Sequence, residues 1–248
     1  QRKILNTEAS YARLVYANGM TGGTTSAARP WFRLGLDDTD LMDHKPVREW
    51  LHDVRNSMLG IFAKSNFYDS MNNLHEEVGS YGFNPMILDS DERTTLRCRP
   101  MTIGEAYISL DSNFRPAKLF RKYWMTVEQI VEAFAYENPR TGAVERLTPL
   151  GDGVGPTVFN LWKSGKLSER FLVHHVIEKR DFTQPAIGGP ANMPWASIYF
   201  LDKNEGPDDF LKRGGYMSQP FIAPRYKTTG SSVYSCSCPG IESLADVM

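Results

Sequence analysis

Cysteine is scarce in this chain of 248 residues. There are three, Cys98, Cys236 and Cys238, too few and too odd in number for a disulfide framework. A reducing compartment is the simpler setting for such thiols. No apolar run approaches the ~20 residues that a membrane-spanning helix needs. No apolar block follows the opening QRKILNTEAS, so no signal peptide is read there. An excess of one charge is missing too: 28 Lys+Arg stand against 29 Asp+Glu, a net charge of −1. Bulk charge therefore points neither to nucleic acid nor to a membrane surface. Internal repeats are absent. So are the usual catalytic signatures. No G-x-S-x-G elbow occurs, and His75-Glu76 lacks the second histidine of H-E-x-x-H. GDGVGPT (151–157) lacks the Lys-Ser/Thr of a phosphate loop and reads as a flexible loop. DDTD (37–40) has no glycine or glutamate where a calcium loop requires them. The expectation is a protein that is not an enzyme and carries no cofactor.

What is present is ordinary for a folded protein. Hydrophobic residues make up 41 % and aromatics 12 % of the sequence, enough to build a core and to argue against disorder. The length suits one large domain or two small ones. The chain begins with glutamine rather than methionine and stops inside an apparent helix, so it reads as a segment of a longer polypeptide.

Thr7 to Asn18 reads as a short helix, capped by Asn6 or Thr7 and stopped by Gly19. TGGTTSAARP (21–30) reads as a loop, and PWFRLGL (30–36) as a strand or extended anchor. Pro46 opens a helix whose stripe is Val47, Trp50, Leu51, Val54 and Met58. Ser65 can cap the next, with Phe67, Met71, Leu74 and Val78 inward and Gly79 and Gly82 at its end. These helices, spanning 46–82, are expected to pack as a hairpin. After Gly82 the period changes to two. FNPMILD, TTLRCRPM, AYISL and FRPAKLFRKYWM give antiparallel strands across 83–125. TVEQIVEAFAYE (126–137) is a helix with a capping box, Thr126 with Gln129. Residues 138–156 read as the longest loop, followed by a short helix at TVFNLWKSG. RFLVHHVIEKRD (170–181) and PWASIYFLD (194–202) add two strands, and YMSQPFIAPRYKTTG (216–230) an edge or arm. The fold class is α+β: an N-terminal helical hairpin with a mostly antiparallel sheet.

Two constellations invite chemistry. Cys236-Ser237-Cys238 has C-x-C spacing, whereas zinc sites need about four ligands, usually paired as C-x₂₋₄-C. Only Cys98 remains as a further thiolate. His174 and His175 are adjacent in a strand, so they point to opposite faces, one to the core and one to the surface. The cysteines read better as a turn leading into a helix at Pro239, and no metal is expected.

Charge is the second. Residues 93–122 hold seven basic side chains, Arg93, Arg97, Arg99, Arg115, Lys118, Arg121 and Lys122, against two acids, Glu105 and Asp111. Arg97 and Arg99 share a strand face. Asp37, Asp38, Asp40 and Asp43 form an acidic segment. Three readings stand: a nucleic-acid patch, complementary surfaces that meet between subunits, or solvated faces. No aromatic residues interleave with the basic ones in the pattern of an RNA-binding motif.

Several stretches, in order, resemble the head-to-tail connecting (portal) proteins of short-tailed, T7-like bacteriophages. They are ANGMTGGTTSAARPWFRLGL (17–36), VREWLHDVRNSMLGIFAKSNFYDSMNNLHEEVGSYG (47–82), LRCRPMTIGEAYIS (96–109), MTVEQIVEAF (125–134) and QPFIAPRYKTTGSSVYSCSCPGIESLADV (219–247). Two tracts depart from the family's pattern. Tyr234 to Ile241 stands where a glycine- and arginine-rich tract is usual, and Tyr226 where "PRW" has tryptophan.

The resemblance implies a structural subunit of a homo-oligomeric ring, most often of twelve, at one capsid vertex of the virion. It would be assembled in the host cytoplasm, and double-stranded DNA would pass through it at packaging and ejection. The implied partners are the major capsid protein, scaffolding protein, terminase and tail adaptor, with no membrane. It implies that residues 1–240 form a portal wing region. Residues 241–248 would then begin a truncated stem helix with the stripe Ile241, Leu244, Ala245 and Met248. The ring would draw on Asp37, Asp38, Asp40 and Asp43 against Arg97, Arg99, Arg115, Lys118, Arg121 and Lys122, and would weaken in high salt. The alternative is a nucleic-acid-binding module using the basic strands 93–122.

Overall fold

The change of period after Gly82 is where the chain passes from helices to strands. A computed structural model describes residues 7–149, 151–180, 189, 192–202 and 210–243. Asn6, Asp181, Leu244, Ala245 and Met248, to which the sequence assigned a cap, a strand end and a stem-helix stripe, lie outside the described residues.

In chain order the helices Glu8–Thr24 (α1), Thr39–Asp43 (α2), Lys45–Lys64 (α3) and Phe67–Tyr81 (α4) come first. Strands Met86–Asp91 (β1), Thr95–Pro100 (β2), Ala106–Leu110 (β3) and Pro116–Thr126 (β4) follow, then helix Val127–Phe134 (α5). Tyr136–Glu137 (β5) and Val144–Glu145 (β6) pair before helix Pro156–Lys163 (α6). Arg170–Lys179 (β7), Trp195–Leu201 (β8), Phe210–Tyr216 (β9), Phe221–Ile222 (β10) and Pro239–Glu242 (α7) complete the described elements. The architecture is α+β with antiparallel pairing in every sheet. The chain divides into two compact units, residues 1–103 with 220–248, and residues 104–219.

In the first unit α4 is the hub. Phe67, Leu74 and Val78 bury one stripe against Met86 and Cys98 of the three-stranded sheet β10-β1-β2. Trp31 of the PWFRL segment adds a ring to that cluster, parallel to Phe67 at 6.1 Å, and Phe62 stacks on Phe67 at 4.3 Å. The segment is an extended anchor without ladder hydrogen bonds. Asn66 ties the α3–α4 turn to β2: its amide donates to the Cys98 carbonyl at 2.7 Å and its Oδ1 accepts from the Cys98 N–H at 2.9 Å. The N-cap of α4 is Asn66 rather than Ser65, which is the C-cap of α3; Ser65 Oγ nevertheless accepts from the Phe67 N–H at 3.1 Å.

Three expectations need correction here. The helix packed along α4 is α1, not α3; α3 meets α4 far less, with Phe62 on Phe67 next to their connecting turn. Consequently the α3 stripe is covered only in part: Leu51 is its one buried member, Val47, Val54 and Met58 are half-buried, and Trp50 is 61 % exposed. Third, α1 does not stop at Gly19 but runs on to Thr24. Thr21 and Thr24 donate their hydroxyls back to the Ala17 and Met20 carbonyls at 2.8 and 2.7 Å, and Ala17 is fully buried. Packing along α4 outweighs the roughly 1 kcal/mol that each glycine costs a helix. At its far end α4 closes on Gly82, left-handed at φ 80°. The C-terminal turn docks there. Gly240 lies so close to the Ser80 backbone that a Cβ would overlap it, and Cys238 Sγ donates to the Ser80 carbonyl at 3.4 Å.

The second unit is a five-stranded sheet ordered β3-β4-β7-β8-β9. Tyr123, Met125, Phe171, Val173, Tyr199 and Leu201 face α5 and α6 across a core of Val127, Ile130, Val131, Phe134, Val158 and Phe159. The Thr126–Gln129 capping box is present in both directions. The helix expected over 126–137 ends at Phe134, and Tyr136–Glu137 form β5 instead. The stretch 138–156 is less open than a long loop: it holds β6, paired back onto β5, and a packed turn. Asp152 is 8 % exposed and accepts from the Arg213 backbone N–H at 2.9 Å and its Nε at 2.6 Å. Val154 is fully buried. GDGVGPT is thus fastened to the core rather than loose.

Candidate assembly surface

The acidic segment frames α2. Asp38 is the N-cap, its Oδ1 accepting from the Asp40 and Leu41 N–H groups at 2.9 and 3.3 Å. That bonding occupies one carboxylate in local structure. Asp37, Asp40 and Asp43 are exposed and form no ion pair among the described residues. Leu36, just before them, and Leu41, between Asp40 and Asp43, are exposed as well.

The six basic candidates divide between the two units, Arg97 and Arg99 in the first and Arg115, Lys118, Arg121 and Lys122 in the second. Arg97 and Arg99 lie on β2, an edge strand, on the exposed side of the alternation. Asp89, opposite Arg97 in register, sits 3.6 Å from Arg99. Near them the Asp91 carboxyl is held below the ordinary carboxylate range, first by the Thr94 hydroxyl and then by the Thr94 N–H, with a smaller contribution from Arg97.

Arg115, Lys118, Arg121 and Lys122 belong to β4 or the turn before it. Arg115 is exposed. Lys118 pairs with Glu178 of β7 at 2.8 Å. Arg121 points to the other face, 3.7 Å from Glu105 and stacked over Tyr123 at 4.0 Å. Lys122 has no carboxylate partner among the described residues; its ammonium sits 5.1 Å from the Tyr107 ring. Exposed pairs such as Lys118–Glu178 are worth about 0–1 kcal/mol, so they tune this surface rather than hold the fold.

Sequence reasoning missed the aromatic residues between these cations. Lys118, Phe120, Lys122 and Trp124 alternate along β4 and are all exposed, while Leu119 beneath is fully buried. Tyr107 of β3 lies opposite Phe120 in register. Trp124 is 64 %, Tyr107 41 % and Phe120 37 % exposed. The signal was legible as K-L-F-R-K-Y-W read with a period of two. Basic and aromatic side chains do interleave here, on one face of one strand.

The histidines divide as the alternation predicts. His175 is buried, stacked on Tyr199 at 3.8 Å, with Nε2 2.9 Å from Ser197 Oγ. His174 lies on the exposed side, stacked on Phe200 at 5.2 Å and 3.2 Å from Asp202. The cysteines are scattered: Cys98 is buried in the first unit's core, Cys238 is buried beneath α7, and Cys236 is exposed. Burial pushes the Cys98 thiol up from its ordinary range. Among the described residues no group of three His, Cys, Asp or Glu could hold a metal ion, and no helix is long and apolar enough to cross a membrane. The geometry thus offers an open sheet face and an acidic knob.

Residues 1–248 match the family described as bacteriophage head to tail connecting protein. The chain is similar to the portal protein of Salmonella phage epsilon15, 31 % identical over 245 residues, 99 % of this chain and 41 % of that protein. It is also similar to the probable portal protein of Bordetella phage BPP-1, 34 % identical over 246 residues, 98 % of this chain and 41 % of that protein. The chain thus spans about two fifths of the length of the curated relatives it matches.

Proposed function

The chain belongs to the bacteriophage head-to-tail connecting protein family, and from that premise we propose that it is the wing portion of a portal subunit. In this reading residues 1–240 form the wing and 241–248 begin a stem helix. The protein is structural and not an enzyme. Copies stand side by side in a closed ring, of twelve as the family implies, at one vertex of the capsid in the virion. Double-stranded DNA passes through the ring during packaging and ejection. The major capsid protein, scaffolding protein, terminase and tail adaptor are its partners, and assembly takes place in the host cytoplasm. A ring requires a heterologous contact, one surface of a subunit meeting a different surface of the next.

The observation that carries the reading is the family match along the whole chain. The unlike exposed surfaces, an acidic knob and a mixed basic and aromatic sheet face, agree with it. Electron microscopy of the full-length protein tests it. Rings with a central hole support the portal reading, and dispersed compact monomers overturn it.

A further inference from the structure

The open face of the five-stranded sheet has the composition of a contact surface. Three of its aromatic rings, Tyr107, Phe120 and Trp124, stand on adjoining strands with more than a third of their surface in water. Exposed aromatic residues clustered around cations mark interaction sites, since each large ring gains when it leaves water. The same face carries Lys122, with no carboxylate partner among the described residues.

We propose that this face receives the acidic 36–43 segment of a second copy of the chain. The argument is complementarity. The segment presents two exposed apolar side chains, Leu36 and Leu41, and three carboxylates, Asp37, Asp40 and Asp43, that form no ion pair among the described residues. The sheet face presents apolar rings and an available ammonium. Leucines against Trp124 and Phe120 supply burial, and a carboxylate against Lys122 fixes the register. The two surfaces differ, so each copy gives one and receives the other. That is the heterologous geometry which closes a ring.

Nucleic acid fits the face less well. Glu178 already engages Lys118, and Asp202 lies beside His174, so carboxylates sit among the cations. Both occupants would meet that negative charge, but affinity for a phosphate backbone comes from the number of phosphates that cations neutralise, whereas the 36–43 segment needs one carboxylate on Lys122 and brings Leu36 and Leu41 to the rings.

The inference rests on the ring reading, and the test separates the two. Full-length protein is prepared with Cys236→Ser, which removes the exposed thiol. One preparation then carries Leu41→Cys and the other, with a different tag, Trp124→Cys. The two are mixed, assembled and treated with a short bis-maleimide. A covalent heterodimer carrying both tags, absent when either variant is used alone, is the expected result. Lys122→Glu is expected to lower ring yield by about tenfold. Adding Asp40→Lys and Asp43→Lys in the same chain should restore it, and raising salt should weaken the wild-type ring. The altered side chains are exposed, so unchanged circular dichroism confirms that each variant is folded. Rings that form normally but give no mixed heterodimer, and are indifferent to Lys122→Glu, overturn the inference and leave the portal reading intact. DNA binding that Lys122→Glu abolishes while ring yield is unchanged also overturns it. Failure of the wild-type protein to form rings overturns both.

Discussion

Tyr16 of α1 lies against Gly79 of α4, so close that a Cβ at Gly79 would overlap the Tyr16 ring. Around it the contact is mostly polar: Arg13 reaches Glu76 at 2.9 Å, and Asn72 donates to Asn18 at 2.9 Å. Burial raises the Tyr16 hydroxyl above its ordinary range, with smaller contributions from Tyr226 and Cys238.

Two opposing effects meet at Gly79→Ala. Helix propensity favours alanine by roughly 1 kcal/mol, while overpacking against Tyr16 costs about 1–3 kcal/mol. The clash is expected to win, giving net destabilisation and faster proteolysis within α1. In a Tyr16→Ala background the clash is gone, so Gly79→Ala should stabilise. Urea denaturation of the four proteins reads the change of sign; the same loss in both backgrounds would refute the contact's role.

His75 sits in the same seam, its Nδ1 3.0 Å from Thr21 Oγ1, and burial holds its pKa below the ordinary 6.5. The folded protein therefore binds this proton less tightly than the unfolded chain. Above pH 6.5 both states are neutral at His75 and it adds no slope. As pH falls below that value the unfolded chain gains the proton first and stability declines, levelling off below the folded pKa. Melting temperatures between about pH 8 and pH 5 should fall for the wild type and fall less for His75→Gln. Equal slopes would remove His75 as the cause.

Thiol chemistry should distinguish the three cysteines. Cys236 is exposed, whereas Cys98 and Cys238 are buried and the Cys98 thiol is pushed up. A thiol reagent at neutral pH is expected to label Cys236 at once and the other two only as the first unit opens, because the thiolate is the reactive form. Rapid labelling of Cys98 in the native protein would contradict this packing.

Thr95 follows the turn that joins β1 to β2 with φ 69°, a left-handed conformation that a β-branched residue adopts only under strain. Thr95→Asn should therefore raise the unfolding free energy by about 1 kcal/mol. A lower denaturation midpoint would show that the Thr95 side chain contributes something else.

Much of this fold was legible because its periods are clean. The two-residue alternation located β1 to β4, β7 and β8, and the 3.6-residue stripe of Phe67, Leu74 and Val78 located the buried face of α4. What escaped was set by partners distant in sequence. β9 is broken up by Lys212, Arg213, Gly214 and Gly215, and its strand character comes from pairing with β8. α1 continues past Gly19 because α4 lies beside it, which no local glycine signal conveys. For the candidate surface, the charged residues were visible and the rings between them were not, because exposure of Phe120 and Trp124 depends on which face α5 and α6 cover. The division of the basic residues between units, with Arg97 and Arg99 in one and Lys118 and Lys122 in the other, follows from topology.

Residues 221–222 complete a sheet whose other strands lie at 86–100. A ribosome therefore delivers the whole of residues 104–219 before it delivers that last strand. The early-made hairpin must wait, its edge unzipped, while a later body is already whole. A chain stalled or truncated before Phe221 would leave β1 as an open edge, a template for pairing between nascent chains.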